Sequence, residues 1–358
     1  MIILYRIQLF KSNGENMFEI SKEELREGIE KLSKPKVLVI GDLAIDEMVY
    51  GYTSRMSREA PVLILHHYET KQLLGAASNA AHNLSAVSGG KVSVIGLYGD
   101  DYYGPVLLKV LNGAGINTDY CVQDKERVTT VKTRISGSCS QSVTQQIVRI
   151  DRETQSELSE KTEQAVIEQI EKAVPMHDAV ILSDYNIGIL TDKIIRKAIE
   201  TAKKYNKVIV VDAQKNLERY KGATALTPNQ PDTEGFLGYK ITDKATLEKA
   251  GKDMLSKTEA KCVLVTRGDK GMALFDREKG QFDVPVFNKT SVFDVTGAGD
   301  TVVALFTLGL AAGLNPKHAA VIGNLAASIV IRYFGCATTT IEELKNTLDK
   351  MDFNSLKG

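Results

Sequence analysis

Short apolar runs alternate with longer amphipathic stretches over most of the chain. The runs are KVLVIGD (36–42), KVSVIGLYG (91–99), DAVILSDY (178–185), KVIVVDAQ (207–214), ATALTPN (223–229) and CVLVTRG (262–268). Each is nearly continuous in hydrophobicity and closes on or near Gly, Asp or Asn, as strands of a parallel sheet buried on both faces do. Stretches such as TEQAVIEQIEKAV and TDKIIRKAIETAKKY fill the gaps with helical spacing. The pattern predicts an α/β fold, a doubly wound and mostly parallel sheet with helices on both faces. Ligands of such sheets gather at the carboxyl ends of the strands. Asp42, Asp46, Asp184, Asp212, Asn229 and Arg267–Gly268 stand there. Two segments, about 49–74 and 127–149, break the alternation with strand-like runs and no helix between them. They predict a small antiparallel β-sheet lid over the strand ends, suited to excluding water. The plainer alternative is an edge sheet that does not move.

One later stretch carries a different pattern. In DVTGAGDTVVALFTLGLAAG (294–313) two carboxylates flank a Gly-Ala-Gly turn, and an apolar run follows at once. Residues 301–312 read as a helix buried on most sides, stopped by Gly313. Asp300 falls at its N-cap or first turn. Gly297 and Gly299 allow a tight turn that points several N–H groups at one place, which makes an anion site. A simple cap explains Asp300 alone. It leaves the glycines and Asp294 without a reason.

Composition narrows the classes. The 358 residues hold 45 Lys plus Arg against 45 Asp plus Glu, so no basic face for nucleic acid is expected. The four cysteines are far apart in sequence and form no zinc spacing, which suits a reducing cytoplasm. No apolar run reaches the length that spans a bilayer, so no membrane partner is expected. The opening MIILYRIQLF is short, carries Arg6 and lacks a cleavage site, unlike a signal peptide. Residues 1–16 read as an extension, which an artefact of start-codon choice would also produce, ahead of an amphipathic FEISKEELREGIEKL. The expected organisation is an extension and helix over 1–34, one domain over 35–348 with the lid grown from it, and a tail over 349–358. No Walker A sequence, no dinucleotide fingerprint after the first strand and no G-x-S-x-G turn occurs.

DVTGAGDT resembles the C-terminal signature of the PfkB/ribokinase family of carbohydrate kinases. The resemblance runs from about residue 35 to 345. It takes in VIGDLAIDEMVYG, SRMSREAPV, LLGAASNAAHNL, QQIVRIDRE, LSDYNIG, ERYKGATALTPNQPD and FGCATTT, in the family's order. The wording is most similar to the kinases that act on a heptose 7-phosphate. The resemblance implies a ribokinase-like fold and in-line phosphoryl transfer from ATP. Asp300 is then the general base, and the N–H groups of Gly297, Ala298 and Gly299 form the anion hole. Asp294 and Thr296, with carbonyls of 335–337, match a site for a potassium-like cation. Asn229 with Asp232 or Glu234 matches the motif that organises Mg2+ and phosphate. Arg267, Gly268, Gly271 and Asn324 match the nucleotide pocket. Asp46, Gly75, Asn79 and Asp184 match sugar contacts. Ala76 replaces the second glycine of the family's pair. Ile187 and Gln214 replace two expected lysines, for which Lys215, Arg55 or Arg58 are substitutes. The resemblance also implies a homodimer paired through the lids. Bifunctional relatives carry a nucleotidyltransferase domain as well, and a nucleotide-sugar step here is expected to need a separate protein. The lost lysines keep two other readings open: a kinase of an unphosphorylated sugar, and a sugar- or nucleotide-binding regulator without turnover.

Overall fold

The apolar runs assemble into one nine-stranded sheet. A computed structural model describes residues 6–7, 20–139, 142–287 and 292–351. The strand Val37–Gly41, buried at every position, lies inside the sheet. Val92–Ile95 and Ile116–Asn117 add on one side. Ala179–Asp184, Val208–Ala213, Ala225–Leu226 and Cys262–Thr266 add on the other, all parallel. An antiparallel hairpin, Met272–Asp276 and Gly280–Val284, closes that edge. The hairpin is absent from the strands expected above.

The chain reverses its winding between Val37–Gly41 and Ala179–Asp184. A crevice opens at the carboxyl ends of neighbouring strands at such a switch point. Asp42 and Asp184 stand at those two ends. Helices cover both faces of the sheet, over two separate apolar clusters. The helix Ala298–Ala311 is buried without interruption from Asp300 to Gly309, as its unbroken apolar run demands. Gly313 follows it with φ +79°.

The amphipathic N-terminal stretch forms the helix Lys22–Lys31, started by a capping box between Ser21 and Glu24. Arg6–Ile7 pairs with Ile20–Ser21. The rest of the predicted extension lies outside the described residues, as does the tail from 352 onward.

The lid is larger than its expected boundaries and differs in pairing. It is a four-stranded sheet of Ser142–Arg152, Val131–Cys139, Leu43–Met56 and Leu63–Ala76, in that order. Its central pair, Leu43–Met56 with Val131–Cys139, is parallel, so the antiparallel expectation holds only for the outer pairs. Two of its strands continue straight from the core. Leu43–Met56 follows Val37–Gly41 after one residue, and Leu63–Ala76 runs directly into the helix Ala77–Ser88.

That last junction is strained. Ala76 adopts φ +50°, ψ −135°, a region that glycine occupies freely and other residues enter at a cost of about 1–3 kcal/mol. Relief of this strain outweighs the extra unfolded-state entropy of glycine. Ala76→Gly is therefore expected to stabilise the protein by about 1 kcal/mol. Urea unfolding checks it, and an unchanged or lower midpoint would refute the strain.

Candidate active site

The site is built at the N-terminus of the helix Ala298–Ala311. Gly297 is its N-cap, in the left-handed region at φ +76°. A Cβ there would lie 2.5 Å from Asn79 Nδ2. Both conformation and space thus demand glycine. Gly299 differs: its φ is not positive, and a Cβ would meet nothing within 4 Å. It faces the open space a ligand needs, rather than relieving a turn. Ala298 N–H is already engaged by Val295 O at 3.2 Å. Of the expected trio of anion-hole donors, Ala298 is thus one whose N–H already has a backbone partner.

Asp300 is not a cap. It sits in the first turn, and no side chain caps this helix. Its carboxylate is buried and held from two sides. Asn79 Nδ2 donates to Oδ2 at 2.6 Å, and Tyr185 Oη donates to Oδ1 at 2.7 Å. Burial raises its pKa to about 6 against those two hydrogen bonds, which pull the other way. A carboxylate tuned toward neutrality at a cleft is the usual form of a general base. Asn79, expected as a sugar contact, is fully buried, and its amide nitrogen is bonded to the Asp300 carboxylate. A buried ladder braces it: Asn83 Nδ2 donates to Asn79 O at 3.0 Å, and Thr301 Oγ1 donates to Asn83 Oδ1 at 2.9 Å.

A cleft of about 150 Å³ lies against this turn. Asp184, Asp212, Asn229, Asp232, Gly299 and Asp300 are among its lining residues. Burial, with Asp300 and Asp232 nearby, pushes Asp212 up to about 8. Burial also raises Asp232. Glu234, the alternative to Asp232, turns away. It accepts from Gln230 Nε2 (2.9 Å), Lys240 Nζ (2.7 Å) and Ile241 N (3.0 Å), and these bonds hold it near 2. Asp232 is therefore the carboxylate that the motif presents to the cleft. Asn229 caps the helix Gln230–Leu237 through Asp232 N–H at 2.7 Å.

Of the residues expected on the sugar side, Asp46 and Gly75 lie at the root of the lid and Asp184 at the end of the core strand Ala179–Asp184. Asp46 Oδ1 stands 2.8 Å from Arg134 Nη1. The two atoms are close in charge but poorly aimed, and neither has a well-directed hydrogen-bond partner. Buried atoms in this state fit hydroxyl groups of a ligand. A Cβ on Gly75 would come within 2.7 Å of the Asp46 carboxylate, which explains that glycine. Asp184 accepts from Tyr220 Oη and from Asn186 N at 2.8 Å.

Asp294 ties two loops together. Thr296 N donates to its Oδ1 and Gly335 N to its Oδ2, each at 2.9 Å. Burial opposes ionisation here, yet these bonds hold its pKa below the usual value. The residues of the expected cation site are thus neighbours. Among the described residues no three Asp, Glu, His or Cys side chains form a metal cluster.

Of the residues expected on the nucleotide side, Arg267, Gly268 and Gly271 share the turn after Cys262–Thr266, and Asn324 lies apart from them in the helix Pro316–Val330. Arg267 N donates to Gly271 O at 2.8 Å, and Arg267 Nε reaches Gln230 Oε1 at 3.3 Å. Gly268 is exposed at φ +58°. Asn324 is buried, and its Nδ2 donates to Pro285 O at 2.6 Å, so its donor is spent on the backbone. Of the candidate lysine substitutes, Lys215 is exposed beyond the cleft strand Val208–Ala213. Arg55 lies nine residues beyond Asp46, roughly 30 Å of extended chain, and Arg58 is further still.

Three residues escaped the sequence reading: Tyr185, Lys132 and Arg134. Their signals were present. Tyr185 follows Asp184 directly in SDYNIG, and Lys132 and Arg134 alternate in VKTRI, which puts both on one lid face. Lys132 pairs in register with Asp46.

Residues 34–343 match the family described as pfkB family carbohydrate kinase. The chain is 41% identical over 317 residues to the bifunctional protein HldE of Desulfatibacillum aliphaticivorans, covering 88% of this chain and 63% of that protein. It is 36% identical to the HldE of Citrifermentans bemidjiense, covering 91% and 66%. The chain thus spans under two thirds of the length of these relatives. Its fold is similar to phosphofructokinase-2 from Escherichia coli in complex with potassium, with a TM-score of 0.71, 18% identity, and 90% and 100% of the two chains covered. It is also similar to Arabidopsis thaliana ribokinase complexed with ribose and ATP, with a TM-score of 0.66, 19% identity, and 89% and 99% covered.

Proposed function

The chain belongs to the pfkB family of carbohydrate kinases and is an ATP-dependent sugar kinase; from that premise we propose that it phosphorylates a sugar already bearing a phosphate, a heptose 7-phosphate, with Asp300 as base. Asp300 takes the proton of the attacking hydroxyl. The hydroxyl oxygen bonds to the γ-phosphorus of ATP, the bond from that phosphorus to the bridging oxygen breaks, and ADP departs with the electron pair. Gly297 and Gly299 N–H groups meet the charge on the transferring group. The buried placement of Asp300 between Asn79 and Tyr185 at the cleft carries this reading.

Oxygen donors line the cleft, and Asp212 and Asp232 there both resist ionisation. That donor set fits Mg2+, a hard cation held by few carboxylates with water and phosphate completing its shell. When bound, it neutralises charge on the phosphates.

A phosphorylated substrate needs cations, and the expected lysines are absent at Ile187 and Gln214. Arg134 supports this reading, standing against Asp46 with a nitrogen that has no well-directed partner, whereas Arg149 opposite it is held by both oxygens of Asp151. HldE proteins are the relatives that motivate the heptose. The missing lysines favour the second reading, a kinase of an unphosphorylated sugar. ATP consumption measured with heptose 7-phosphate, fructose phosphates, fructose and ribose separates them. Turnover of the free sugars alone would refute the phosphorylated substrate. The outer lid face exposes Ile147, Val148 and Ile150, which suits a homodimer; a monomeric mass in solution would count against it.

We extend the proposal to a monovalent cation held beside Asp294 and Thr296 that fixes the 294–297 loop. Activity is then expected to rise with potassium at constant ionic strength. Equal rates in potassium, sodium and a large organic cation would remove it.

A further inference from the structure

We propose that Tyr185 is a positioning residue that couples the lid to the base, holding Asp300 in its reactive orientation while Lys132 of the lid covers its ring. The inference rests on the reading of Asp300 as base. Tyr185 touches both partners. Its hydroxyl donates to Asp300 Oδ1 at 2.7 Å, and Lys132 Nζ lies 5.4 Å from its ring centroid.

The backbone around Tyr185 is fixed. Tyr185 N, Ile187 N and Ile189 N donate to the Asp42 carboxylate at 2.9, 3.1 and 3.3 Å. Arg127 Nη2 donates to Ile187 O at 3.1 Å and to Thr154 O at 2.6 Å. One buried acid and one arginine therefore hold the loop that aims a single phenol at a single carboxylate oxygen. With Asn79 on the other oxygen, two donors fix the rotation of the Asp300 carboxylate about its Cβ–Cγ bond. Removing one leaves the plane free to turn.

The lid end of the link is electrostatic. A cation over an aromatic face is attracted to it, and it polarises the hydroxyl toward donation. Lys132 belongs to the central lid strand Val131–Cys139. Lifting that strand takes the cation off the ring, and seating it restores the contact. Lid position is thereby reported to Asp300 through the Tyr185 side chain, in addition to the direct charge attraction between Lys132 and Asp300.

The test uses the full chain, at saturating sugar so that lid effects on binding do not enter. Tyr185→Phe is expected to lower kcat about tenfold, the scale of one hydrogen bond to a charged acceptor, with KM for ATP within about twofold. It should also move the acid limb of the kcat profile to higher pH, because the lost donor had favoured the ionised form. Asp46, Lys132, Asp212 and Cys336 also face Asp300 and remain in place. Lys132→Gln should lower kcat in the same direction, Lys132→Arg should restore it, and Tyr185→Phe with Lys132→Gln should lose clearly less than the product of the two single losses, the direct attraction of Lys132 for Asp300 being the part that still adds. Wild-type kcat with an unmoved acid limb in Tyr185→Phe overturns the positioning role. Losses that multiply in the double variant overturn the coupling to the lid. Should the Phe variant fail to fold, the contrast between Lys132→Gln and Lys132→Arg decides: equal rates overturn the coupling. Asp300→Asn, measured alongside, separates the two levels. Full turnover there removes the base itself, whereas its loss beside an unaffected Tyr185→Phe removes only this inference.

Discussion

Asp300→Asn is expected to lower kcat by about 10²–10⁴-fold, or ~3–5 kcal/mol in barrier. The substitution keeps the volume of the side chain and takes away the proton acceptor. The local bonds can be remade. The amide oxygen accepts from Asn79, and the amide nitrogen donates to Tyr185, whose hydroxyl turns to accept. Stability at pH 7 should not fall. The folded-state pKa of Asp300 is raised to about 6, mainly by burial. Its contribution to stability is therefore full below the unfolded value and lost as pH rises through about 6. A neutral amide escapes that loss. ATP binding should persist, because the Gly297 and Gly299 donors remain. In the unsubstituted protein the rate should fall on acidification below about pH 6, as the base takes up its proton. Steady-state kinetics on folded protein decide the matter. Turnover near that of the unsubstituted protein would sink the base assignment.

Gly297→Ala is the second large effect, expected to lower kcat by about 10²–10³-fold, the range for losing an anion-hole donor. A non-glycine residue in the left-handed region costs about 1–2 kcal/mol, and Gly297 stands at φ +76°. The new methyl would also meet Asn79 Nδ2 at 2.5 Å, closer than atoms can stand. Asn79 must shift, and its 2.6 Å bond to Asp300 goes with it. One methyl group thus disturbs both the anion donors and the orientation of the base. Kinetics paired with a thermal melt check it. A folded variant within threefold of normal kcat would show that the turn does not place the donors.

The core was legible because its strands are buried on both faces. Runs such as 37–41 and 179–184 can be read without knowing their partners. The edge hairpin 272–284 was not, since its signal is local and weak beside the parallel runs. The lid is legible in the broken alternation, but its root begins deeper than that break, at Leu43. Residues 43–48 are buried throughout, so they read as core until the alternation begins. Its parallel central pair depends on a register that chain order does not reveal. Asp300 was legible from the spacing of its own turn. The allegiance of Asn79 and the presence of Tyr185 were not, because their bonds to Asp300 span 221 and 115 residues. The choice between Asp232 and Glu234 needed Lys240 and Ile241, whose capture of Glu234 no motif encodes.

The lid strand Leu63–Ala76 enters the helix Ala77–Ser88 with no linker, and Asn79 lies three residues past the junction. Chain length there has no slack. Inserting or deleting one residue between Leu73 and Asn79 would swap the faces of the strand and turn the helix by roughly 100°, carrying the amide away from its carboxylate. The far turn at 57–62 has no such constraint, since it is exposed and joins only strand ends. The same lid is thus open to length variation at its tip and closed to it at its root. Insertions can be accepted at one end of these two strands while the contact of Asn79 with Asp300 is kept at the other.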